Sequence, residues 1–353
     1  MSATTISCLQ TPSKHNIGFG YLSSASKLIC KLDNVNKCKI TDSSSSLSMQ
    51  AISIKIKDTS SSLSSDTFGG TDYNMLLSEV LVGRMVSDYV FRQSFKIRSR
   101  ETGPSRITSI EALMNFFQET GVNHLKTIGL LSDDMNSTPK MSTHNLVWVV
   151  TKLQVEVDRY PTCDDIVQID HWKSFFGKNN GCGTWSFRDY QSGEILVRAS
   201  SNWIMMNKET RRLSKFPDDV RAELTPYFVD TPSPIQENIR KYTKIDENDI
   251  VHVRNGLTAT RKDLDMNKHV NNVKYIGWIL ESVPDWIADN YELGSMTLEY
   301  RRECTKGSVL QSQTFVSETN DASGTVDCQH LLQFEGGSNG VILKAMTTWR
   351  PTC

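Results

Sequence analysis

The stretch from Asp263 to Leu280, "DLDMNKHVNNVKYIGWIL", places ten mainly polar residues directly before a largely apolar run. Asp and Asn favour turns and helix N-caps, so the polar part predicts a turn that leads into a helix beginning near Asn271. Because Trp278, Ile279 and Leu280 are consecutive, no face of this helix is left for solvent. A sheet wrapped around the helix would bury it, which indicates an α+β fold.

The same order of elements occurs twice in the chain. The first copy starts with the alternating segment "YVFRQSFKIRS" (89–99), continues into a helical pattern that includes Leu113 and Phe117, and ends in four strand-like runs. The second copy starts with "IVHVRNGL" (250–257), passes through the quoted stretch and also ends in four strand-like runs. We therefore predict two antiparallel sheets, each wrapped around a long central helix.

The predicted domain boundaries follow from this repeat and from composition. Residues 83–215 and 250–353 hold the two copies, and the charged, proline-bearing segment 216–249 links them. Residues 1–70 are rich in serine and poor in acids, and no arginine precedes Arg84. That composition is typical of an organelle transit peptide and favours a plastid over a mitochondrion, with a disordered N-terminus as the alternative.

Composition also argues against several classes of function. The net charge of -1 provides no general attraction for nucleic acid, and no apolar run is long enough to span a membrane. The eight cysteines include no CxxC pair and no Cys/His group at zinc-ligand spacing, so we expect neither a disulfide scaffold nor a metal site. No nucleotide-binding motif occurs, so no cofactor is expected.

Asp265, Asn267 and His269 follow one another at i, i+2 and i+4. In an extended segment these side chains would share a face, and Lys268 would point away. Amide donors, a proton-accepting histidine, a carboxylate and the N-terminus of a helix would together suit attack on a carbonyl group. The alternative is a turn and helix cap with no catalytic role.

The motifs around this stretch resemble those of a known family. "DLDMNKHVNNVKYIGWILES" followed by "TLEYRREC", "SVLQS" and "CQHLL" is similar to the plant acyl-acyl carrier protein thioesterases, most like the FatB branch. The resemblance runs from about Val90 to Pro351. It implies a tandem hotdog fold, the plastid stroma, and hydrolysis of the thioester between a saturated fatty acyl chain, about C16, and its carrier.

Carried over by position, the functional set of the family falls on five residues: Asp265, Asn267, His269, Glu303 and Cys304. One account makes Cys304 the nucleophile with His269 as its base. The other gives base or nucleophile work to Glu303 or Asp265. Adjacent strand residues point to opposite faces, so Glu303 and Cys304 are rivals. Neighbouring acids would raise the pKa of a thiol, which favours Glu303.

The first copy has no Asn-x-His motif before its helix, and we expect it to bind the acyl chain instead. The candidate residues, each of which could also be ordinary core, are Met114, Phe116, Phe117, Val122 and Leu125. An acidic carrier protein calls for a basic patch. The candidates, with solvated charge as the alternative, are Lys208, Arg211, Arg212 and Lys215. A homodimer and a monomer both remain open.

The chain departs from the family pattern at two places. Lys268 stands where the family usually has glutamine, and Cys182 and Gly183 stand where it commonly has an arginine pair, which questions carrier docking or strand stability there. A divergent, weakly active or non-catalytic acyl-binding paralogue is therefore the second hypothesis. A hotdog hydratase or dehydratase would share the fold but not this motif set.

Overall fold

The computed structural model describes residues 78–80, 82–132, 135–229, 235, 252–266, 268–317, 324–336 and 340–352. These residues belong to one compact unit. The predicted transit segment, most of the predicted linker and the candidate residue Asn267 lie outside the described residues.

The N-terminal half contains the helix and five strands predicted for the first copy, together with short elements that were not predicted. In chain order the elements are β1 (Arg84–Met85), β2 (Phe91–Lys96), α1 (Ile110–Thr127), α2 (Pro139–Thr143), β3 (Leu146–Val157), β4 (Ile166–Phe176), β5 (Asn180–Asp189), β6 (Ile195–Asn207), β7 (Leu213–Ser214) and α3 (Asp218–Leu224). The short elements that were not predicted are β1, α2, β7 and α3. The helix α3 lies inside the segment predicted as a linker. Its apolar residues Val220 and Leu224 are one turn apart and buried.

The C-terminal half repeats the same plan with a shorter central helix. Its elements are β8 (His252–Thr258), α4 (Asn272–Leu280), α5 (Asp285–Asn290), β9 (Tyr291–Tyr300), β10 (Val309–Ser317), β11 (Val326–Phe334) and β12 (Val341–Pro351). The helix α4 begins one residue after Asn271, where the sequence predicts its start. None of the helices among the described residues is long and apolar enough to cross a membrane.

The strands form an antiparallel sheet in which each half has the same internal order. The order is β2-β4-β5-β6-β3 in the N-terminal half and β8-β10-β11-β12-β9 in the C-terminal half. The strands that end these two orders, β3 and β9, pair with each other, with Leu153 opposite Leu298 and Val155 opposite Met296. The two predicted sheets are thus joined edge to edge into one continuous sheet.

The helices α1 and α4 pack against each other on one side of this sheet. Leu113 and Phe117 of α1 belong to the same buried cluster as Ile276 and Ile279 of α4. A methyl group at Gly277 would lie 3.3 Å from an Oε1 of Glu111, so the two helices approach closely there. The two copies therefore share one hydrophobic core.

Strand registers place particular residues of the two halves in equivalent positions. In the N-terminal half Trp185 lies opposite His171 on one side and Ala199 on the other. In the C-terminal half His330 lies between Thr314 and Ala345 in the same way. Trp185 and His330 both lie on the middle strand of their half with an alanine opposite on the next strand, and by this register Trp185 corresponds to His330.

Candidate active site

The described residues on either side of position 267 form a turn, as the polar composition predicts, so the shared face that an extended segment would give does not arise. Leu264 and Val270 pair across the turn. The Asp265 N–H donates to the His269 carbonyl (2.7 Å), and the His269 N–H donates to Oδ1 of Asp265 (3.0 Å). Lys268 has a φ of +64°, so it occupies the left-handed region rather than an extended strand. The Asp265 carboxylate stabilises the turn because it accepts a backbone hydrogen bond within it.

The turn is anchored to α4 by the residues on either side of it. The Asn271 N–H donates to the Asp263 carbonyl (2.9 Å), and the Asn271 Oδ1 accepts from the Val273 N–H (2.9 Å) as the N-cap of α4. Asp263 is buried. Burial alone would raise its pKa, but hydrogen bonds from Thr260 and the charge of Lys274 hold that pKa below its ordinary value. Asp263 and Asn271 therefore anchor the two ends of the turn, and His269 lies between them.

His269 lies beside Glu303, with Nε2 3.6 Å from a carboxylate oxygen. The exposed fractions of the two side chains are 34% and 40%, so both can reach a bound substrate. Glu303 is in the loop that follows β9, which ends at Tyr300. The C-terminal half therefore places a histidine and a carboxylate together at the N-terminal end of α4, from segments that are separate in sequence.

Arg211 completes this group from the N-terminal half, where the sequence predicted only a carrier-binding role. Its Nη2 forms an ion pair with the same Glu303 oxygen. Arg211 lies in the turn between β6 and β7 with a φ of +56°, and the Asn207 Oδ1 shapes that turn by accepting from the N–H groups of Glu209 and Thr210. No local pattern marks this contact, because its partners are 92 positions apart.

Cys304, the rival of Glu303, points into the core. It is 1% exposed and belongs to the main hydrophobic cluster, on the buried side with Met296 and Leu298. Burial raises the pKa of its thiol to about 11, so little thiolate exists near neutral pH. Its backbone N–H donates to the Tyr275 hydroxyl (3.0 Å), and its carbonyl accepts from the Val270 N–H (3.2 Å). Cys304 therefore ties the loop after β9 to α4 and to the turn.

The residues predicted to bind the acyl chain do not all lie together. Met114, Phe116 and Phe117 are buried in the main cluster, which also contains Val270 and Val273 beside the candidate site. Val122 is half-buried. Leu125 packs instead against a smaller cluster in the N-terminal half, around Met141 and Phe216.

The predicted carrier-binding residues lie on one exposed strip. Lys208, Arg211 and Arg212 belong to the turn between β6 and β7, and Lys215 follows β7; all four side chains are exposed. Because Arg211 also contacts Glu303, this basic strip begins at the candidate site and leads away from it.

The departure at Cys182 and Gly183 does not interrupt the sheet. β5 pairs through both residues with β4 and β6. A methyl group at Gly183 would lie 2.9 Å from the Trp185 ring, so this ring occupies the space that a larger residue would need. As for metals, the described part of the chain contains no group of three or more His, Cys, Asp or Glu side chains that could hold one.

Comparison with known proteins relates this geometry to a family. The sequence matches the family models for the acyl-ACP thioesterase N-terminal domain over residues 88–224 and the acyl-ACP thioesterase C-terminal domain over residues 246–351. The chloroplastic palmitoyl-acyl carrier protein thioesterase of Arabidopsis thaliana is 52% identical over 281 residues, which cover 78% of this chain and 68% of that protein. The chloroplastic dodecanoyl-[acyl-carrier-protein] hydrolase of Cinnamomum camphora is 48% identical over 262 residues, which cover 74% and 68%.

Solved structures agree with the sequence comparison. The 12:0-ACP thioesterase from Umbellularia californica superposes with a TM-score of 0.70 at 46% identity, over 74% of this chain and 94% of that one. An acyl-ACP thioesterase from Bacteroides thetaiotaomicron is 20% identical and shares the fold, with a TM-score of 0.59 over 74% and 98%. The predicted α+β hotdog fold is thereby confirmed. The chain belongs to the acyl-ACP thioesterase family.

Proposed function

We propose that this protein hydrolyses the thioester of acyl-acyl carrier protein, releases a saturated fatty acid of about C16 and so ends chain elongation in the plastid stroma. Family membership supports the reaction, and relatives named palmitoyl-acyl carrier protein thioesterases support the chain length. Their chloroplastic names, together with the acid-poor first 70 residues, support the compartment. The observation that carries the proposal is the His269–Glu303 pair at the N-terminal end of α4.

In this reaction water adds to the thioester carbonyl carbon, the carbon–sulfur bond breaks and the carrier leaves as a thiol. As a base, Glu303 takes a proton from the attacking water, and His269 passes a proton to the leaving sulfur. As the attacking group, Glu303 would instead form an acyl anhydride while the thiol leaves, and water would then hydrolyse that anhydride to the fatty acid and the free carboxylate. Helix N–H groups at the start of α4 would favour the negative charge that develops on the carbonyl oxygen. Asp265 holds the turn that carries His269, and Arg211 holds Glu303.

Two observations favour Glu303 over Cys304 as the reactive group. The raised pKa of the Cys304 thiol leaves it protonated at the pH of the reaction, whereas Glu303 is half-exposed and beside His269. Asn267 lies outside the described residues, and we propose for it the donor role that the family motif implies.

The two halves divide the work in this proposal. Residues 250–353 hold the catalytic group, and residues 83–215 bind the acyl chain along α1 through Met114, Phe116, Phe117 and Val122. The continuous apolar cluster from Val270 and Val273 to α1 supports this path. Leu125 faces the smaller cluster and contributes at most at the far end.

The exposed strip of Lys208, Arg212 and Lys215 is proposed to attract the acidic carrier protein. Contacts of this kind weaken as ionic strength rises, because salt screens exposed charges. The Michaelis constant for acyl carrier protein substrates should therefore rise with salt, while that for a short neutral thioester should not.

The test is a panel of acyl-acyl carrier protein thioesters of varied length and saturation, with free fatty acid quantified. We expect release from saturated substrates, greatest near C16. Folded protein that releases no fatty acid from any substrate would contradict the proposal and favour the acyl-binding paralogue. Hydration of an unsaturated acyl thioester, with the thioester left intact, would favour a hydratase instead.

A further inference from the structure

A second polar cluster lies deep in the N-terminal half, away from Glu303 in sequence and in no step of the proposed reaction. It centres on His124 of α1 and His171 of β4, both 0% exposed, whose Nδ1 atoms are 2.9 Å apart. The Nε2 of His171 lies 3.4 Å from Nζ of Lys173.

The cluster contains a ring nitrogen without a partner. Burial lowers the pKa of His124 to about 2 and that of His171 well below its ordinary value, so both rings are neutral. One Nδ1 therefore donates to the other across their contact. In either arrangement Nε2 of His124 has no hydrogen-bond partner among the described residues.

A buried donor without a partner lies in the same cluster. The Trp185 side chain is 5% exposed, its ring stacks on His171 with 4.6 Å between centroids, and its Nε1–H has no partner among the described residues. Gly121 faces the same two rings: a methyl group built on it would lie in ordinary contact with Trp185 Cζ2 (3.5 Å) and His171 Cε1 (3.9 Å).

The equivalent cluster of the C-terminal half has no such unpaired donor. His330, which corresponds to Trp185, bonds Thr314 through Nδ1 (2.9 Å) and Thr347 through Nε2 (2.8 Å). The Trp349 indole N–H also donates to Thr347 (2.8 Å). The fold can thus satisfy polar groups at this position. Unpaired buried donors are rare and require an explanation, of which a bound acceptor is the simplest.

We propose that His124 and Trp185 form a subsite for an uncharged oxygen, such as a hydroxyl or keto group, on the acyl chain of the substrate. This inference rests on the proposed function, because Phe117, one turn before Gly121, is among the residues assigned to the chain. The rings of Phe91 and Phe117 lie against these side chains and suit an alkyl chain, while the Trp185 N–H and Nε2 of His124 are hydrogen-bonding groups that a plain chain cannot use. A water molecule would present the same chemistry, and the test separates the two.

The experiment compares acyl-acyl carrier protein substrates in pairs of equal length, one plain and one with a single hydroxyl group near the thioester, at mid-chain or near the methyl end. For one hydroxyl position we expect kcat/KM to exceed that of the plain substrate by about tenfold, the effect of one well-placed hydrogen bond. Trp185→Phe should abolish this preference. Trp203→Phe should retain it, because that indole N–H already donates to Ser201 (2.6 Å).

Gly121→Ala is a second variant, which places a methyl group against the two rings without removing a donor and adds helix propensity. It should lose the preference and keep hydrolysis of the plain substrate. Equal rates on plain and hydroxylated chains at every position would overturn the subsite and leave water as its occupant. A preference that survives in Trp185→Phe would also overturn it.

Binding of free hydroxylated and plain fatty acids, followed by thermal shift, keeps the subsite testable if no thioester is hydrolysed. Absence of all hydrolysis would count against the proposed function. Equal shifts from the two kinds of fatty acid would count against the subsite.

Discussion

The N-terminal and C-terminal halves share a strand order and a central helix. They differ in the residues at the start of that helix and in the hydrogen bonding of their buried polar clusters. The C-terminal half places His269 and Glu303 at the start of α4 and satisfies every ring nitrogen of its buried His330. The N-terminal half has no Asn-x-His motif at the start of α1, and the Trp185 N–H and Nε2 of His124 have no partner among the described residues.

This difference teaches that the repeat preserves packing and leaves chemistry free to change. Ala199 and Ala345, which lie opposite Trp185 and His330, are both fully buried. Helix starts and turns carry less packing constraint, so reactive groups accumulate there in one half only.

The largest expected effect comes from His269. His269→Gln removes the proton-transferring group, and kcat/KM should fall about 10²-fold or more. The matched control is His144→Gln in the N-terminal half, where an exposed histidine also contacts a carboxylate, that of Asp219 at 2.9 Å. That variant should hydrolyse at the parental rate; equal losses in both would mean that histidine–carboxylate pairs here serve stability alone.

Arg211 should have the next largest effect, because it holds Glu303 from the other half. Arg211→Gln should lower kcat about tenfold through a misplaced carboxylate, since small errors in position are costly in catalysis. Arg212→Gln, its exposed neighbour, should raise KM for carrier-linked substrates and leave kcat unchanged. If both variants changed only KM, Arg211 would be a carrier contact and no more.

The buried clusters should differ in stability. Trp349→Phe breaks the hydrogen bond to Thr347, whereas Trp185→Phe removes a donor that has no partner. Both variants lose the same ring atoms. The free energy of unfolding of Trp349→Phe, measured by denaturant titration, should therefore be about 1 kcal/mol lower than that of Trp185→Phe. Equal losses would indicate that Trp185 has a partner in the free protein.

The smallest effect concerns Asp263 and acid. Its folded-state pKa is depressed, so its contribution is present above its unfolded pKa and is lost as pH falls through the folded value. Asp263→Asn should cost about 0.5 kcal/mol near neutral pH, and the gap in melting temperature from the parent should close below about pH 4. A gap that stays constant down to pH 2 would exclude a charge effect.

The sequence predicted the two central helices and the long strands, because helix burial and strand alternation are local patterns; it did not predict the short elements β1, α2, β7, α3 and α5. It did not predict the pairing of β3 with β9, since joining two edge strands depends on the shape of both sheets. The spacing of Asp265, Asn267 and His269 fitted an extended segment equally well, and the turn follows from the Asp265 carboxylate accepting a backbone N–H. The helix α3 was not predicted, because its two apolar residues at helical spacing, Val220 and Leu224, lie in a charged segment that was predicted as a linker.

The candidate site was predictable only in part. Family motifs indicated His269 and Glu303, but the contact of Arg211 with Glu303 joins two turns that only the folded chain brings together. The His124–His171 pair is likewise a contact between helix and strand, 47 positions apart. Neither contact can be predicted from the spacing of residues along the chain.

The central claim is that Glu303, and not Cys304, carries the chemistry. The direct measurement is the rate of fatty acid release from a saturated acyl-acyl carrier protein by the parent and by Glu303→Gln, Cys304→Ala and the control Glu299→Gln, whose carboxylate pairs with Arg301. We predict a loss of about 10²-fold or more for Glu303→Gln alone, with Cys304→Ala within a few-fold of the parent. Full activity in Glu303→Gln together with an inactive, folded Cys304→Ala would contradict the account and make the cysteine the nucleophile.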